Sequence, residues 1–306
     1  MPSPPHRRPL DLNEADPFPR CVEFQTVSAC NARCGVCPYE QVSSSHAHGK
    51  MTWPLIERII GECGAHAEIV ERIIPYLNNE PFADRRILEV LRLIRHTLDC
   101  HVELSTNLSL LRAEDAAAVA SERLIDTLRI SMFGASAATY ETRMRPLSWV
   151  RFRENLRMLA AAFASSHKAP ILELIMVGTS ELGAAEVAQG RKIATEHGAQ
   201  LRIFGYLDRA GNGHAQNTLP LAIRSAPLIG CDLNRPFERL ALRWNGDAVL
   251  CSQDWASDVV LGNITNSSMD AVWRGQRARE VREFVSGRRD APRDFLCRSC
   301  KLAMVE

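Results

Sequence analysis

Cys30, Cys34 and Cys37 stand at C-x3-C-x2-C spacing, directly after the apolar stretch of residues 21–27. Thiolates are the ligands that hold iron–sulfur clusters, and a cubane offers four irons to be ligated. Three thiolates leave one iron open, and an open metal position binds a small molecule, as catalytic zinc sites bind water or substrate. A structural zinc knuckle or three unrelated buried thiols are the alternatives. Zinc sites usually close with four ligands paired as C-x2-C or C-x4-C, and no fourth ligand stands at a familiar spacing nearby. A second set lies near the end of the chain: Cys231, Gly246 and Cys251 at C-x14-G-x4-C, then, after a gap, Cys297 and Cys300 at C-x2-C. A four-cysteine zinc ribbon would use the same ligands. Between them, residues 240–244 and 248–250 read as a hairpin around Asn245-Gly246-Asp247, which brings Cys231 and Cys251 toward each other.

The elements that must position these residues alternate. Strand-like runs at 21–27, 69–77, 102–104, 127–134, 171–177 and 201–204 are separated by helical patterns at 52–63, 87–94, 113–121, 147–164 and 182–197. Thr52 can cap the first of these helices, with Pro54 in its first turn. Six strand–helix alternations imply a parallel sheet with helices outside. In such architectures the loops at the carboxyl ends of the strands build the site. The first cysteines, residues 78–81, 105–107 and Ser131 all fall at such ends.

Composition bounds the rest. The chain has 306 residues, 46% hydrophobic and 24% charged, with a net charge of +1, so no basic field argues for nucleic acid or an anionic membrane. No run approaches the roughly 20 apolar residues of a membrane span. The opening Met1-Pro2-Ser3-Pro4-Pro5-His6-Arg7-Arg8-Pro9 lacks the apolar core of a secretory signal and reads as part of a flexible, Pro-rich tail over residues 1–19. Ten cysteines without such a signal suit a reducing cytoplasm, where grouped cysteines mean metal or redox chemistry. His46 and His48, in the polar stretch 43–50, are metal ligands or, more ordinarily, solvated loop residues.

The first cysteine motif resembles the signature of the radical S-adenosylmethionine (AdoMet) enzymes, whose open iron chelates the amino and carboxylate groups of AdoMet. The resemblance covers residues 20–206 and implies an α/β fold, a partial (β/α)6 barrel, holding one [4Fe–4S] cluster on Cys30, Cys34 and Cys37. Asn78-Asn79-Glu80-Pro81 resembles the family's Gly-Gly-Glu-Pro segment, which contacts the AdoMet amino group; both glycines are asparagines here, and Asn tolerates unusual backbone angles. A carboxylate facing an ammonium is chemically sensible, although Glu before Pro is also a common turn. Ser105, Thr106 and Asn107 resemble the strand end that holds the AdoMet carboxylate or ribose, and Ser131 the ribose-binding serine. Val36 stands where the family often packs adenine, with Tyr39 as an alternative aromatic partner. Arg209 is a candidate contact for the AdoMet carboxylate or a substrate oxygen.

After a linker at 207–230, the second cysteine set resembles the SPASM auxiliary-cluster domain in its shortened "twitch" form. The resemblance implies that Cys231, Cys251, Cys297 and Cys300, in a small C-terminal cysteine-rich domain of residues 231–306, hold a second [4Fe–4S] cluster. Members of this layout include aminoglycoside-tailoring epimerases and a dehydrogenase, which implies an antibiotic-pathway amino-sugar or aminoglycoside substrate and a low-potential donor such as flavodoxin or ferredoxin. Hydrogen abstraction from a sugar carbon leads to an epimer if a thiol returns hydrogen, or to a ketone if the auxiliary cluster takes an electron. Cys251 is the candidate hydrogen donor, because Cys21, Cys63 and Cys100 map to the wrong ends of the barrel; Cys251 also fits as a cluster ligand. Epimerisation is the expectation, with dehydrogenation as its rival. Asp208, Asp232 and Asp254 are candidate partners for a polycationic substrate, while Trp244 and Trp255 read as packing residues. A metal-stabilised binding protein without catalysis is the answer from a different class. A peptide maturase would call for a recognition domain ahead of the barrel, for which about 20 residues leave no room.

Overall fold

The computed structural model describes residues 16–167, 169–179, 182–211 and 223–306. Of the expected flexible tail at 1–19, residues 1–15 lie outside the described residues, as do the linker positions 212–222; residues 16–19 are a correction, since Phe18 is fully buried in the main core and stacked on His66, and the Asp16 carbonyl accepts from the Trp273 indole. Six parallel strands form as the alternation predicts: β1 (Cys21–Phe24), β2 (Arg72–Ile74), β3 (His101–Thr106), β4 (Thr127–Ser131), β5 (Ile171–Gly178) and β6 (Gln200–Gly205), lying side by side in chain order. The second strand is shorter than its apolar run, since Pro75 has no N–H for the ladder. Helices α1 (Tyr39–Ser43), α2 (Trp53–Gly64), α3 (Ile87–Thr97), α4 (Ala113–Ser121), α5 (Ala137–Arg143), α6 (Trp149–Ala164) and α7 (Ala184–Glu196) fill the connections. In α2 the apolar positions Ile56, Ile59, Ile60 and Cys63 share one buried face, which docks the helix on the sheet. Thr52 takes the N-cap backbone position of α2, but its hydroxyl makes no capping bond.

The C-terminal quarter does not sit apart from this sheet. After β7 (Leu228–Cys231) and α8 (Arg235–Glu238), β8 (Arg239–Leu242) pairs in parallel with β1, Leu240 opposite Val22. The predicted hairpin follows: Gly246, at φ +86°, turns the chain into β9 (Asp247–Val249), and β10 (Val260–Asn263) completes a nine-stranded sheet. Leu240, Leu242, Ala248, Met269 and Trp273 accordingly belong to the main hydrophobic core, with Val22 and Phe24. A second, smaller core gathers Phe237, Leu250, Val281, Phe284, Phe295 and Leu296 from α8, α10 (Gln276–Val285, after α9 at Met269–Trp273) and the chain end, where β11 (Ala303–Val305) pairs with β7. Among the described residues no helix is long and apolar enough to cross a membrane.

Candidate iron–sulfur and nucleotide site

The first cysteine loop leaves β1 and is braced from below. Tyr39 at the start of α1 is buried; its hydroxyl accepts from the Cys30 backbone N–H (2.9 Å) and donates to the Ser28 carbonyl (3.0 Å). The Arg33 guanidinium covers its ring at 5.1 Å. Tyr39 therefore shapes the loop. Cys34 lies in the fields of both Cys30 and Cys37, so the three thiols face a common space. Burial pushes the Cys30 thiol up to about 12, and that of Cys34 well above its ordinary value. Metal binding would displace these protons. Val36 is half-buried in the same loop.

Glu80 is the centre of the adjoining strand ends. It is only 2% exposed, contrary to a surface turn before proline. Its carboxylate accepts from the Phe82 N–H (3.2 Å), the Thr106 hydroxyl (2.6 Å) and the Asn107 N–H (2.7 Å). Burial outweighs these three bonds and pushes the carboxyl up to about 7. Among the described residues it forms no ion pair. Asn78 takes the left-handed backbone at φ 56° that a family glycine would favour, and the Asn79 side-chain amide has a buried N–H2 donating to nothing. A buried carboxylate lacking a cation, next to an unsatisfied donor, fits an amino acid's ammonium and carboxylate.

Three expected contacts are engaged within the protein. Thr106 and Asn107 hold Glu80, and the Asn107 amide donates to the Asn31 side chain of the cysteine loop (2.9 Å), while Asn31 donates to Ser109 (2.8 Å). These residues fix the carboxylate relative to the thiols. Ser105 instead bonds Tyr76. The Ser131 hydroxyl, half-buried at the end of β4, has no protein partner among the described residues and is open to a ligand.

The second thiol set is assembled from separate segments: Cys231 ends β7, Cys251 follows β9, and Cys297 and Cys300 sit at a turn near the chain end. Cys297 lies in the fields of Cys251, Cys300 and Cys231, and the Cys251 sulfur accepts from the Gln253 N–H (3.5 Å). Burial pushes Cys251 up to about 12. Among the described residues no three His, Cys, Asp or Glu side chains are arranged to hold a single metal ion. The thiolates of a cubane each bind a different iron and need not converge on one point. Cys21 and Cys100 lie at the starts of β1 and β3 and Cys63 near the end of α2, buried near one another, whereas the first cysteine loop follows the other end of β1.

Arg209 joins the two regions. It lies in the fields of Cys37 and Arg235, and Arg235 in turn acts on Cys251. With the Gln253 amide oriented to suit them, its oxygen accepts from Arg209 (3.0 Å) and from Arg235 (3.0 Å). Of the proposed substrate carboxylates, Asp254 is a correction: it is 1% exposed and both oxygens accept backbone N–H groups, of Asp258 (2.8 Å) and Val259 (3.0 Å). Its burial satisfies a loop. His46 is half-buried and bonds the backbone carbonyls of Val42 and Ala256, whereas His48 is exposed, as expected of a solvated loop residue, and bonds the Ser43 carbonyl.

Sequence reasoning missed a belt of charge inside the barrel. Strand alternation and register put Arg239, Glu23, Arg72, Glu103, Arg129, Glu173 and Arg202 on one face, opposite the apolar face that meets the helices. Ion pairs link Arg239 to Glu23 (2.7 Å), Arg72 and Arg129 to Glu103, and Arg129 (3.0 Å) and Arg202 (2.9 Å) to Glu173. The signal was present as one charged residue inside nearly every apolar strand.

Residues 231–301 match the model of the SPASM iron–sulfur cluster-binding domain. No curated protein sequence matches the chain. Among solved structures, the chain is similar to BtrN in complex with AdoMet and 2-DOIA, at 14% identity over 93% of each chain and a TM-score of 0.59. It is similar to Streptococcus suis SuiB bound to its precursor peptide SuiA (15% identity, 93% of this chain and 70% of that one, TM-score 0.69). It also resembles anSMEcpe with bound AdoMet (16% identity, 85% and 82%, TM-score 0.62). These likenesses establish a shared fold, a partial barrel with a cysteine-rich C-terminal region, and the segment from Cys231 to Lys301 is similar to the SPASM iron–sulfur cluster-binding domain.

Proposed function

We propose that this chain is a radical AdoMet enzyme that oxidises a secondary alcohol of an amino sugar or related aminocyclitol to a ketone. Cys30, Cys34 and Cys37 would hold the first cluster, and Cys231, Cys251, Cys297 and Cys300 the second. The groups so bound, fed one electron by an external low-potential donor, would supply a 5′-deoxyadenosyl radical to take hydrogen from carbon and an acceptor for the electron left behind, while the hydroxyl proton is lost. The chain's own residues position and exclude. Glu80 would accept from the AdoMet ammonium, held in place by Thr106 and Asn107, and Asn79 and Ser131 would donate to the ligand's oxygens. The barrel face above the charged belt would carry the substrate away from bulk water.

The observation that carries the choice of reaction is the surrounding of Cys251, whose neighbours are the other three thiols of its set. A thiolate engaged as ligand is not free to return hydrogen, so the expectation of epimerisation gives way to its rival. BtrN, crystallised with AdoMet and 2-DOIA, supports the small-molecule class. The test is Cys251→Ala in anaerobically reconstituted protein, followed by iron counting and by product analysis in deuterated water with candidate aminoglycosides and their precursors. Loss of second-site iron with a carbonyl product in the parent enzyme supports oxidation. Retained iron, with a deuterated epimer from the parent and none from the variant, would restore epimerisation. Zinc in both thiol sets with no AdoMet cleavage would support a binding protein instead.

A further inference from the structure

A pocket at the barrel mouth opens between α1, the loop of residues 44–49 and the second cysteine region; its walls include Tyr39, His46, His48, Asn78, Arg243 and Trp255. We propose that it binds an anionic oxyacid group, a carboxylate or a phosphate. No cysteine lines the pocket, and Tyr39 and Asn78 form the wall it shares with the first cysteine site, so binding is tested with and without AdoMet to separate the two.

Two features make the pocket a donor site. Arg243 is half-buried and forms no ion pair among the described residues; it donates to the Trp255 carbonyl (3.2 Å). The carboxylates nearest it are committed elsewhere: Asp254 to two backbone N–H groups, and Asp247 to the amides of Asn245 (2.6 Å) and Asn263 (2.7 Å). Burial lowers the Arg243 guanidinium, a cost an incoming anion would offset. Trp255 is 7% exposed, and its indole N–H is buried and donates to nothing. Indole offers a donor and no acceptor, so only an acceptor atom or water can satisfy it. Against these donors no Asp or Glu lines the wall.

Two sources share this chemistry, a free inorganic anion and an anionic group on a larger polyol. Isothermal titration of the cluster-loaded full chain in a non-phosphate buffer would use inorganic phosphate, myo-inositol 1-phosphate and myo-inositol, each with and without saturating AdoMet. We expect both phosphates to bind and inositol not to, with at least tenfold weaker binding in Arg243→Gln. Ala47→Glu, on the exposed rim, should weaken it similarly while leaving the melting temperature unchanged, which separates charge from folding. Tighter binding of inositol phosphate than of phosphate assigns the pocket to a larger ligand, and equal binding to the free ion. Absence of phosphate binding, undiminished binding in both variants, or competition by AdoMet would overturn the proposal.

Discussion

The two thiol sites are built in opposite ways. The first takes all its cysteines from one eight-residue loop, and its other working group, Glu80, is a carboxylate buried without a cation. The second collects its cysteines from three segments spread over 70 residues, and its neighbours are cationic, Arg235 acting on both Cys251 and Cys300. A local loop can leave a metal position open because its fold does not depend on closing it. A site stitched from distant segments is expected to be closed, since four thiolates on one cluster staple the smaller core together. On the proposed function, the contrast would suit ligand exchange at the first site and electron storage or structure at the second.

Removing a ligand from each side is the severest way to break this comparison. Cys34→Ala should abolish AdoMet cleavage outright while about half of the iron remains, on the second site. Cys297→Ala should also lose about half of the iron but keep deoxyadenosine formation, with turnover to product lost; cleavage failing in both would show that the sites are not separable. The next effect concerns the unpaired carboxylate. Glu80→Gln should weaken AdoMet binding roughly 10- to 100-fold, the ~1.5–3 kcal/mol of a hydrogen bond to a charged group.

The pH dependence sharpens that point. Glu80 titrates at about 7 in the folded, nucleotide-free chain against an ordinary value of 4.5. Between these values the folded chain holds a proton the unfolded chain has lost, so nucleotide-free stability falls as pH rises through the window. If Glu80 accepts from the ammonium as proposed, AdoMet binding should strengthen over the same rise, and calorimetry in buffers of different ionisation heat would count the released proton. In Glu80→Gln both slopes should flatten.

Two smaller effects probe how the regions are joined. Trp273 is 1% exposed, stacked under the Arg282 guanidinium at 3.9 Å, and belongs to the barrel core despite lying among the late elements. Trp273→Ala should cost ~3–5 kcal/mol and lower the melting of both thiol sites together; a single shifted domain in a two-step melt would argue for independent units. Thr106→Val removes one hydroxyl from Glu80 and should cost about 1 kcal/mol, read as a several-fold rise in the AdoMet KM with little change in stability.

The strand and helix periodicities were legible because they are local. The helix of residues 113–121 matches the expected span, and the Asn-Gly turn at 245–246 sits where the hairpin needed it, with Gly246 at φ +86°. The cysteine motif was legible for the same reason. Partnerships across the sheet were not. Nothing in the order of residues says that Leu240 would lie opposite Val22, that Thr106 and Asn107 would hold Glu80, or that Asp254 would turn inward to its own loop.

By itself the sequence determined which atoms are available: seven thiols in two groups, one carboxylate after two asparagines, and the alternation that makes a parallel sheet. Spacing along a chain controls what lies within one loop or one helical turn, and these features need no more than that. Only the tertiary structure decided that Glu80 is buried without a counter-ion, that Cys251 faces three other thiols, and that β8 extends the barrel sheet. Burial, field and register depend on neighbours tens to hundreds of residues away, and they become fixed when the apolar faces close on one another.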